Sequence, residues 1–396
     1  MPITPETVDQ IRAAIDRDRL LDTAISLIEV PSPTREAKEG LDRLDSILTA
    51  EGLHVERPDA DYPECPAVAA RYQSGSPGRT LQFQGHMDTV HLPYFPPRVE
   101  NGTLYGSGCS DMKGGIAAMV EAMRALRDTG LLPGGEILIT STDLHEAPWG
   151  EGEQIRGMVK AGYVGDGVLI PEYLHDCLPV VGRGMAVLDV RVRRQGIPVH
   201  EVLGGMEQPN VIHAGAALVR RLEELDRDLA TRPSHPLGGR PSLFVGKIDS
   251  GEMFNQSPTE FRLEGTRRWL PGTDHTEVEQ EFRSILSEIE ARDGIAVDGT
   301  FMYLAPPFEL DQAHSLVTEF QSAYAATTGA ELPLGFKPVL DDGNNIARLS
   351  DAPPITHGPH ALGAHTVDEE VPVDELVRVA IVYALTAIGF CGGGEA

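Results

Sequence analysis

Two stretches decide the fold of this 396-residue chain: Gly85-His86-Met87-Asp88-Thr89 and Gly106-Ser107-Gly108-Cys109-Ser110-Asp111-Met112-Lys113-Gly114-Gly115. His86 and Asp88 are two residues apart at the end of a predicted strand, where such side chains point the same way. A metal-bound imidazole usually donates its other N–H to a carboxylate, so this pair predicts a metal-binding histidine oriented by Asp88. Asp111 follows a glycine-rich loop and precedes a predicted helix, which brings a second carboxylate to a helix start.

The surrounding sequence predicts an α/β domain. Apolar runs predict buried strands at 80–84, 136–142 and 167–170, and apolar residues at helical spacing predict helices at 7–28, 35–51 and 114–126. Strands that alternate with helices are typical of an α/β sheet, where ligands lie beyond the carboxyl ends of the strands.

A second pattern begins near residue 183. Strands are predicted at 187–192, 242–248, 261–269 and 296–303, with helices after Asn210 and over 276–291. A final strand at 354–356 and an apolar helix at 373–388 return to the first pattern. We therefore predict one domain at 1–182 and 304–396, interrupted by a smaller α+β domain at 183–303.

The composition argues against several classes of partner and metal site. The chain has 33 basic and 60 acidic side chains and a net charge of −27, which argues against nucleic acid or an anionic membrane as a partner. Its four cysteines are widely spaced and form no thiol metal motif. No export signal or long apolar segment is evident, so we expect a cytoplasmic protein.

More candidate metal ligands follow the other predicted strands. His145 and Glu146 come after the strand at 136–142, and Glu172 comes after the strand at 167–170. His365 precedes the last helix. Each residue alone is more often an ordinary polar side chain than a ligand.

Together, however, these motifs carry a family resemblance. The order G-H-x-D-T-V, G-x-G-x-x-D-M-K-G-G, a Glu after a strand, P-E, and A-H-x-x-D-E resembles the dinuclear zinc metallopeptidase and amidohydrolase superfamily. That superfamily includes aminoacylase-1, carboxypeptidase G, acetylornithine deacetylase and succinyl-diaminopimelate desuccinylase. The resemblance implies a mixed-sheet catalytic domain with helices on both faces and a smaller lid and dimerisation domain, hence a homodimer or higher homo-oligomer.

The resemblance also implies roles for the candidate residues. His86 and Glu172 would hold one divalent ion, Glu146 and His365 would hold the other, and Asp111 would bridge them. Nitrogen and oxygen ligands without thiolate suit zinc, with manganese and cobalt as alternatives. Hydroxide bound to the two ions would attack an amide carbonyl.

Three residues of the smaller domain resemble substrate-binding positions. His200 matches a lid histidine that reaches the substrate oxyanion, and Asn210 and Arg268 match positions that contact a substrate carboxylate. An arginine fork suits a carboxylate. The resemblance therefore implies a small-molecule substrate that carries a carboxylate.

His145 is where the sequence departs from the family. It stands at the usual position of the general-base glutamate. Histidine is a common general base, but neighbouring cations would weaken it. Three outcomes stay open: His145 is the base, Glu146 has become the base at a changed metal site, or catalysis has been lost.

We therefore expect a metal-dependent hydrolase of a C–N bond, most simply the amide of an N-acyl amino acid or a dipeptide. One alternative is an aminohydrolase of an aromatic amine, similar to nitroanthranilate aminohydrolase, because Trp149 follows the site motif. Another alternative is a non-catalytic protein that binds a metal or ligand.

Overall fold

The structure is a computed structural model and describes residues 3–392. Its α-helices in chain order are α1 (Pro5–Ala14), α2 (Arg17–Ile28), α3 (Lys38–Ala50), α4 (Lys113–Thr129), α5 (Glu153–Lys160), α6 (Val211–Leu229), α7 (His275–Glu290), α8 (Ser315–Thr328), α9 (Asp342–Leu349) and α10 (Val373–Cys391).

The strands in chain order are β1 (Val55–Glu56), β2 (Val68–Gln73), β3 (Thr80–His86), β4 (Arg98–Glu100), β5 (Thr103–Tyr105), β6 (Glu136–Thr142), β7 (Gly167–Ile170), β8 (Leu178–Gly182), β9 (Gly184–Arg193), β10 (Val199–His200), β11 (Ser242–Ser250), β12 (Gln256–Ser257), β13 (Glu260–Trp269), β14 (Ala296–Ala305), β15 (Phe308–Glu309), β16 (Leu334–Lys337), β17 (Pro354–Thr356) and β18 (Glu370–Pro372).

The chain divides into two compact units. The first comprises Met1–Val180, Leu310–Gly335 and Asp341–Ala396, and the second comprises Val181–Glu309 and Phe336–Leu340. The second unit begins two residues before the predicted 183–303 segment and takes in a short later piece. Within the described residues, no helix has both the length and the apolarity that a membrane span requires.

A six-stranded mixed sheet forms the centre of the first unit, in the order β1-β2-β6-β3-β7-β17. Strands β6, β3, β7 and β17 are parallel, whereas β1 and β2 pair antiparallel at one side. Helices α4 and α10 contact β3, and α9 contacts β7 and β17. The mixed α/β class expected from the sequence is confirmed.

Helix α4 lies in the core along almost its whole length. Its residues from Lys113 to Leu126 are all buried. It is capped by Gly130, whose φ of 65° is a left-handed conformation that glycine adopts without steric cost. The helix start next to Asp111 is therefore anchored firmly to the core.

The first predicted helix is in fact two helices. The expected 7–28 helix is broken between α1 and α2, because Ile15 is extended and Asp16 caps α2. The Asp16 carboxylate accepts hydrogen bonds from the N–H groups of Asp18 and Arg19. The apolar periodicity continues across this break and conceals it.

The second unit has an antiparallel four-stranded sheet in the order β11-β13-β9-β14. Alternate residues of β9, among them Val190 and Val192, are buried against Leu218 and Leu222 of α6 and Phe282 of α7. This unit therefore has its own hydrophobic core.

Candidate metal centre

The carboxyl ends of three parallel strands bring the first candidate ligands together. His86 is the last residue of β3 and is in register with Thr142, the last residue of β6. His145 and Glu146 follow β6, and Glu172 follows β7. Short apolar strands followed by polar loops thus place four chemically active side chains at one edge of the sheet.

Asp111 lies between two histidines. Its Oδ1 is 3.1 Å from His86 Nε2, and its Oδ2 is 3.2 Å from His365 Nε2. His86 is fully buried, whereas the side chain of His365 is about half exposed, at 51%. This is the arrangement expected of a carboxylate that bridges two cations.

Glu146 and Glu172 lie on opposite sides of this bridge. Glu146 Oε2 is 3.0 Å from His365 Nε2, and Glu172 Oε1 is 3.6 Å from His86 Nε2. Among the described residues, both His86, Asp111 and Glu146 and His86, His145 and Glu172 bring one donor atom each within 4.8 Å of one another. The five predicted ligands therefore form one cluster.

Two residues near the centre have a left-handed backbone. Leu144, just before His145, has a φ of 66°, and His365 has a φ of 61°. Such conformations cost non-glycine residues about 1 to 3 kcal/mol and concentrate at functional sites. The left-handed backbone changes the direction of the chain at these two positions. His145, which follows Leu144, and His365 itself therefore point in directions that a regular strand or helix would not give.

Asp88 acts differently from the sequence expectation. The Nδ1 of His86 is 2.9 Å from the main-chain carbonyl of Asp88 and 3.7 Å from its carboxylate. The buried carboxylate instead accepts hydrogen bonds from the N–H groups of His145 and Glu146, both at 3.0 Å to Oδ2. Asp88 therefore orients His86 through its backbone and the following ligand loop through its side chain.

His145 is also held in an unexpected way. Its Nδ1 is 3.0 Å from Oδ1 of Asp342, and its Nε2 is 3.7 Å from Oε1 of Glu172. Its ring stacks on that of His86, with centroids 3.9 Å apart and an interplanar angle of 4°. Asp342 was missed in the sequence, because Asp341-Asp342-Gly343 carries only the signal of a helix start.

Glu369 supports the loop that carries Asp111. Its buried carboxylate accepts hydrogen bonds from Gly108 N–H (2.9 Å), Ser110 N–H (3.2 Å) and Ser110 Oγ (2.8 Å). The A-H-x-x-D-E motif contained this residue, but the sequence indicated no role for it. Glu369 thus supports the loop of the bridging Asp111, while His365, four residues earlier in the same motif, contacts Asp111 directly.

The buried carboxylates of the cluster shift the pKa values of their neighbours in directions that favour positive charge at the site. Burial and the neighbouring His86 lower the pKa of His145, but Asp342 and Glu172 together outweigh them and raise it to about 9. Hydrogen bonds to Asp111 and Glu146 raise the pKa of His365 to about 10. Burial and the charge of Asp111 raise the pKa of Glu172 to about 7. The carboxylates thus favour bound cations, and nitrogen and oxygen donors fit divalent metals.

The three predicted substrate residues lie in the second unit. His200 Nε2 is 3.0 Å from Asn255 Nδ2. Asn210 caps α6 by accepting a hydrogen bond from His213 N–H. Burial lowers the pKa of Arg268 in β13, and its buried Nη1 has no hydrogen-bond partner among the residues described. Their predicted roles in substrate binding stay predictions.

Trp149 lies one turn beyond Glu146. The N–H of Trp149 donates to the Glu146 carbonyl (3.1 Å), and its indole stacks on His91 with centroids 4.3 Å apart. Arg35 donates to the Trp149 carbonyl at 2.7 Å. The loop after the ligands thus carries a fixed aromatic pair.

A set of imidazole and carboxylate donors, all buried or partly buried, around a bridging aspartate defines the class of protein: a metallohydrolase with a paired cation site. The family model of Peptidase family M20/M25/M40 matches residues 82–388, and the chain belongs to this family. The match confirms the resemblance stated from the sequence motifs.

Relatives match over nearly the whole chain. Succinyl-diaminopimelate desuccinylase of Methylobacterium radiotolerans is 30% identical over 92% of this chain and 95% of its own length. N-formyl-4-amino-5-aminomethyl-2-methylpyrimidine deformylase of Halalkalibacterium halodurans is 25% identical over 94% of both chains. The structure of the dipeptidase Dug1p of Saccharomyces cerevisiae has a TM-score of 0.79 at 12% identity and covers 99% of this chain and 100% of its own.

The expected enzyme class is confirmed by family membership. The chain is a metal-dependent hydrolase of the family that cleaves amide bonds of acyl amino acids and dipeptides. The family includes a dinuclear metal-binding peptidase of known structure.

Proposed function

We propose that this protein hydrolyses the amide bond of an N-acyl amino acid or a dipeptide that carries a free carboxylate. The observation that carries the proposal is the position of Asp111 between His86 and His365, with Glu146 and Glu172 beside them. Relatives that remove succinyl and formyl groups from nitrogen support the same bond type.

The donor set supports two divalent ions, with zinc first and manganese or cobalt as alternatives. His86 and Glu172 would hold one ion, His365 and Glu146 the other, and Asp111 both. When bound, such ions lower the pKa of water and polarise an amide carbonyl as Lewis acids. Three buried carboxylates without cations would repel one another, which is the physical reason that the cluster suits metal.

The chain's own residues supply orientation. Asp88 fixes the backbone that carries His145 and Glu146, and Glu369 fixes the loop that carries Asp111. Rigid support of this kind keeps ligands at a productive geometry and lowers the reorganisation needed during the reaction. We assign both carboxylates to positioning and not to direct contact with the substrate.

Arg268 is our candidate for binding the substrate carboxylate. The guanidinium of Arg268 is partly buried, and its Nη1 has no partner within residues 3–392, which leaves a donor for an anion. A fork of N–H donors matches a carboxylate. We propose His200 and Asn210 as further substrate residues, the second unit as lid and dimerisation domain, and a cytoplasmic homodimer as the working form. These assignments rest on the family resemblance.

An aromatic substrate is the second candidate. Trp149 lies one turn after Glu146 and stacks on His91. In addition, one relative acts on a formylated aminomethylpyrimidine. A flat heteroaromatic amide or an aromatic amine would suit such a surface. Release of ammonia from an aryl amine would favour an aminohydrolase over a deacylase.

The test begins with metal content. Purified protein should carry up to two divalent ions per chain, lose activity with a chelator and regain it with added metal. Substrates to compare are N-succinyl, N-acetyl and N-formyl amino acids, dipeptides, a formylated aminomethylpyrimidine and aryl amines. Arg268→Lys should raise KM for substrates with a carboxylate and not for those without one. Full activity after complete metal removal would exclude the proposal.

A further inference from the structure

We propose that His145 is a metal ligand at the position of His86 and Glu172, and that Asp342 holds its ring for this purpose. The inference rests on the proposed function and deepens it. It replaces one of the three outcomes that the sequence left open, in which His145 takes the place of the usual glutamate as general base.

The distances around Glu172 are the first evidence that His145 and His86 share one metal position. Oε1 of Glu172 is 3.6 Å from Nε2 of His86 and 3.7 Å from Nε2 of His145. Both distances are too long for a good hydrogen bond. They match the separation of two donors that share one ion, since metal–ligand bonds of about 2.1 Å at tetrahedral angles place donors roughly 3.4 Å apart.

The orientation of the ring carries the second step. The stacked rings of His86 and His145 both present Nε2 to the same carboxylate oxygen, and both direct Nδ1 away, towards an oxygen. For His145 that oxygen is Oδ1 of Asp342, at 3.0 Å. A ligating histidine whose other nitrogen is held by a carboxylate is the common pattern at metal sites.

Asp342 is itself fixed for this task. It is buried at the start of α9, and its other oxygen, Oδ2, accepts a hydrogen bond from Gln84 Nε2 at 3.0 Å. A buried carboxylate needs such partners, because an unpaired charge in the interior is costly. Gln84 lies in β3 two residues before His86, so the same strand positions one ligand and supports the other.

The assignment makes the two metal positions unequal. One position gains two imidazoles, Glu172 and the shared Asp111, which is a full set of four protein donors. The other keeps Glu146, the half-exposed His365 and Asp111. A site with four protein donors is typical of tightly held metal, whereas three donors leave a position for water or substrate. We infer that the His365 position holds the exchangeable, reactive ion.

Zinc titration of the metal-free full-length protein, against a competing chromophoric chelator, tests the inference. The wild type should bind two ions of unequal affinity. Asp342→Asn should weaken the tighter site about 10- to 100-fold, the usual effect of removing a ligand's supporting group. His145→Ala should weaken it at least as much, and His365→Ala should weaken the other site instead. His275→Ala, in the second unit and outside the centre, is the matched control.

Cobalt absorption provides a second readout. The visible bands of Co²⁺ depend on its geometry and on its ligands, so His145→Ala, which removes a nitrogen ligand, should shift the band of the first ion bound, whereas His275→Ala should not. His145→Gln, which keeps side-chain volume, replaces the alanine variant if circular dichroism shows that the latter does not fold. Wild-type metal affinity in both His145→Gln and Asp342→Asn, with only kcat reduced, would overturn the inference and leave the proposed function intact. A wild-type protein that binds no divalent metal would overturn both.

Discussion

Replacement of Asp88 separates the two tasks that this residue performs. In Asp88→Ala the main-chain carbonyl that receives His86 Nδ1 is retained, but the carboxylate that holds the N–H groups of His145 and Glu146 is lost. Each buried donor left without a partner costs about 1 to 3 kcal/mol. Two donors therefore predict a local loss of about 2 to 6 kcal/mol.

Asp88→Asn is the conservative comparison. Both N–H groups lie 3.0 Å from the same oxygen, Oδ2, so one amide oxygen can still accept both hydrogen bonds. The charge is lost, together with the longer second contact of the His145 N–H, 3.3 Å to Oδ1. Charged acceptors exceed neutral ones by about 1 kcal/mol per bond, which predicts a loss of about 2 kcal/mol. Asp374→Ala, whose side chain is 87% exposed, provides a surface control for the loss of an aspartate.

Hydrogen exchange followed by mass spectrometry measures this directly. In metal-free Asp88→Ala, the segment at 144–150 should exchange at least about 30-fold faster than in wild type, the factor that corresponds to about 2 kcal/mol. Zinc affinity should fall at both metal positions, because the segment that Asp88 holds carries His145 as well as Glu146. Unchanged exchange in this segment, or a loss confined to the His86 position, would refute the reasoning.

The remaining predictions concern support, pH and metal. Glu369→Ala should unfold at lower urea concentration and bind zinc more weakly, because the N–H donors of Gly108 and Ser110 lose their acceptor. Glu369→Gln keeps one acceptor oxygen, so its zinc affinity should lie between those of Glu369→Ala and the wild type. Equal zinc affinity in the wild type and both variants would contradict this prediction. Burial, assisted by Arg378, lowers the pKa of His357 to about 3, so the unfolded chain binds more protons between pH 6.5 and 3 and stability falls as pH is lowered through that window. His357→Gln should remove up to about 1.4 kcal/mol per pH unit from this slope, measured by urea unfolding, and an unchanged slope would contradict the assignment. Zinc at 100 times its dissociation constant should add about 2.7 kcal/mol per site, visible as a higher melting temperature that a chelator reverses, and an unaltered melting temperature would argue against a folded-state metal site.

Local patterns were enough to predict the elements that carry most ligands. The strands β6 and β7 have the bounds that the apolar runs indicated, and β3 extends two residues further, to His86 itself. His86 ends such a strand, Glu146 and Glu172 follow one, and Asp111 precedes a helix, so motif order and periodicity together placed these four. His365 lies in a turn before β18 and was placed by motif order alone. The break between α1 and α2 escaped prediction, because a capping aspartate changes the backbone without changing the apolar spacing.

Asp342 could not be found in the same way, because its role depends on tertiary packing. Helix α9 contacts β7 and β17, and only this packing brings its first residue to His145. In the sequence, Asp341 and Asp342 are equivalent candidates for a helix cap. The structure distinguishes them: Asp341 accepts from Gly343 N–H and caps the helix, whereas Asp342 faces His145 and Gln84.

This pairing also accounts for the charge lost where the family usually has a glutamate. A neutral imidazole in place of a carboxylate removes one negative charge beside two cations. Asp342, which contacts the far side of the His145 ring, supplies a negative charge in its place. His145 and Asp342 together therefore carry the same formal charge as the glutamate. Because one oxygen of this carboxylate is held by Gln84 and the other by the His145 ring, the charge stabilises bound metal without being free to accept a proton from water. The substitution is therefore better explained as a changed ligand than as a changed base.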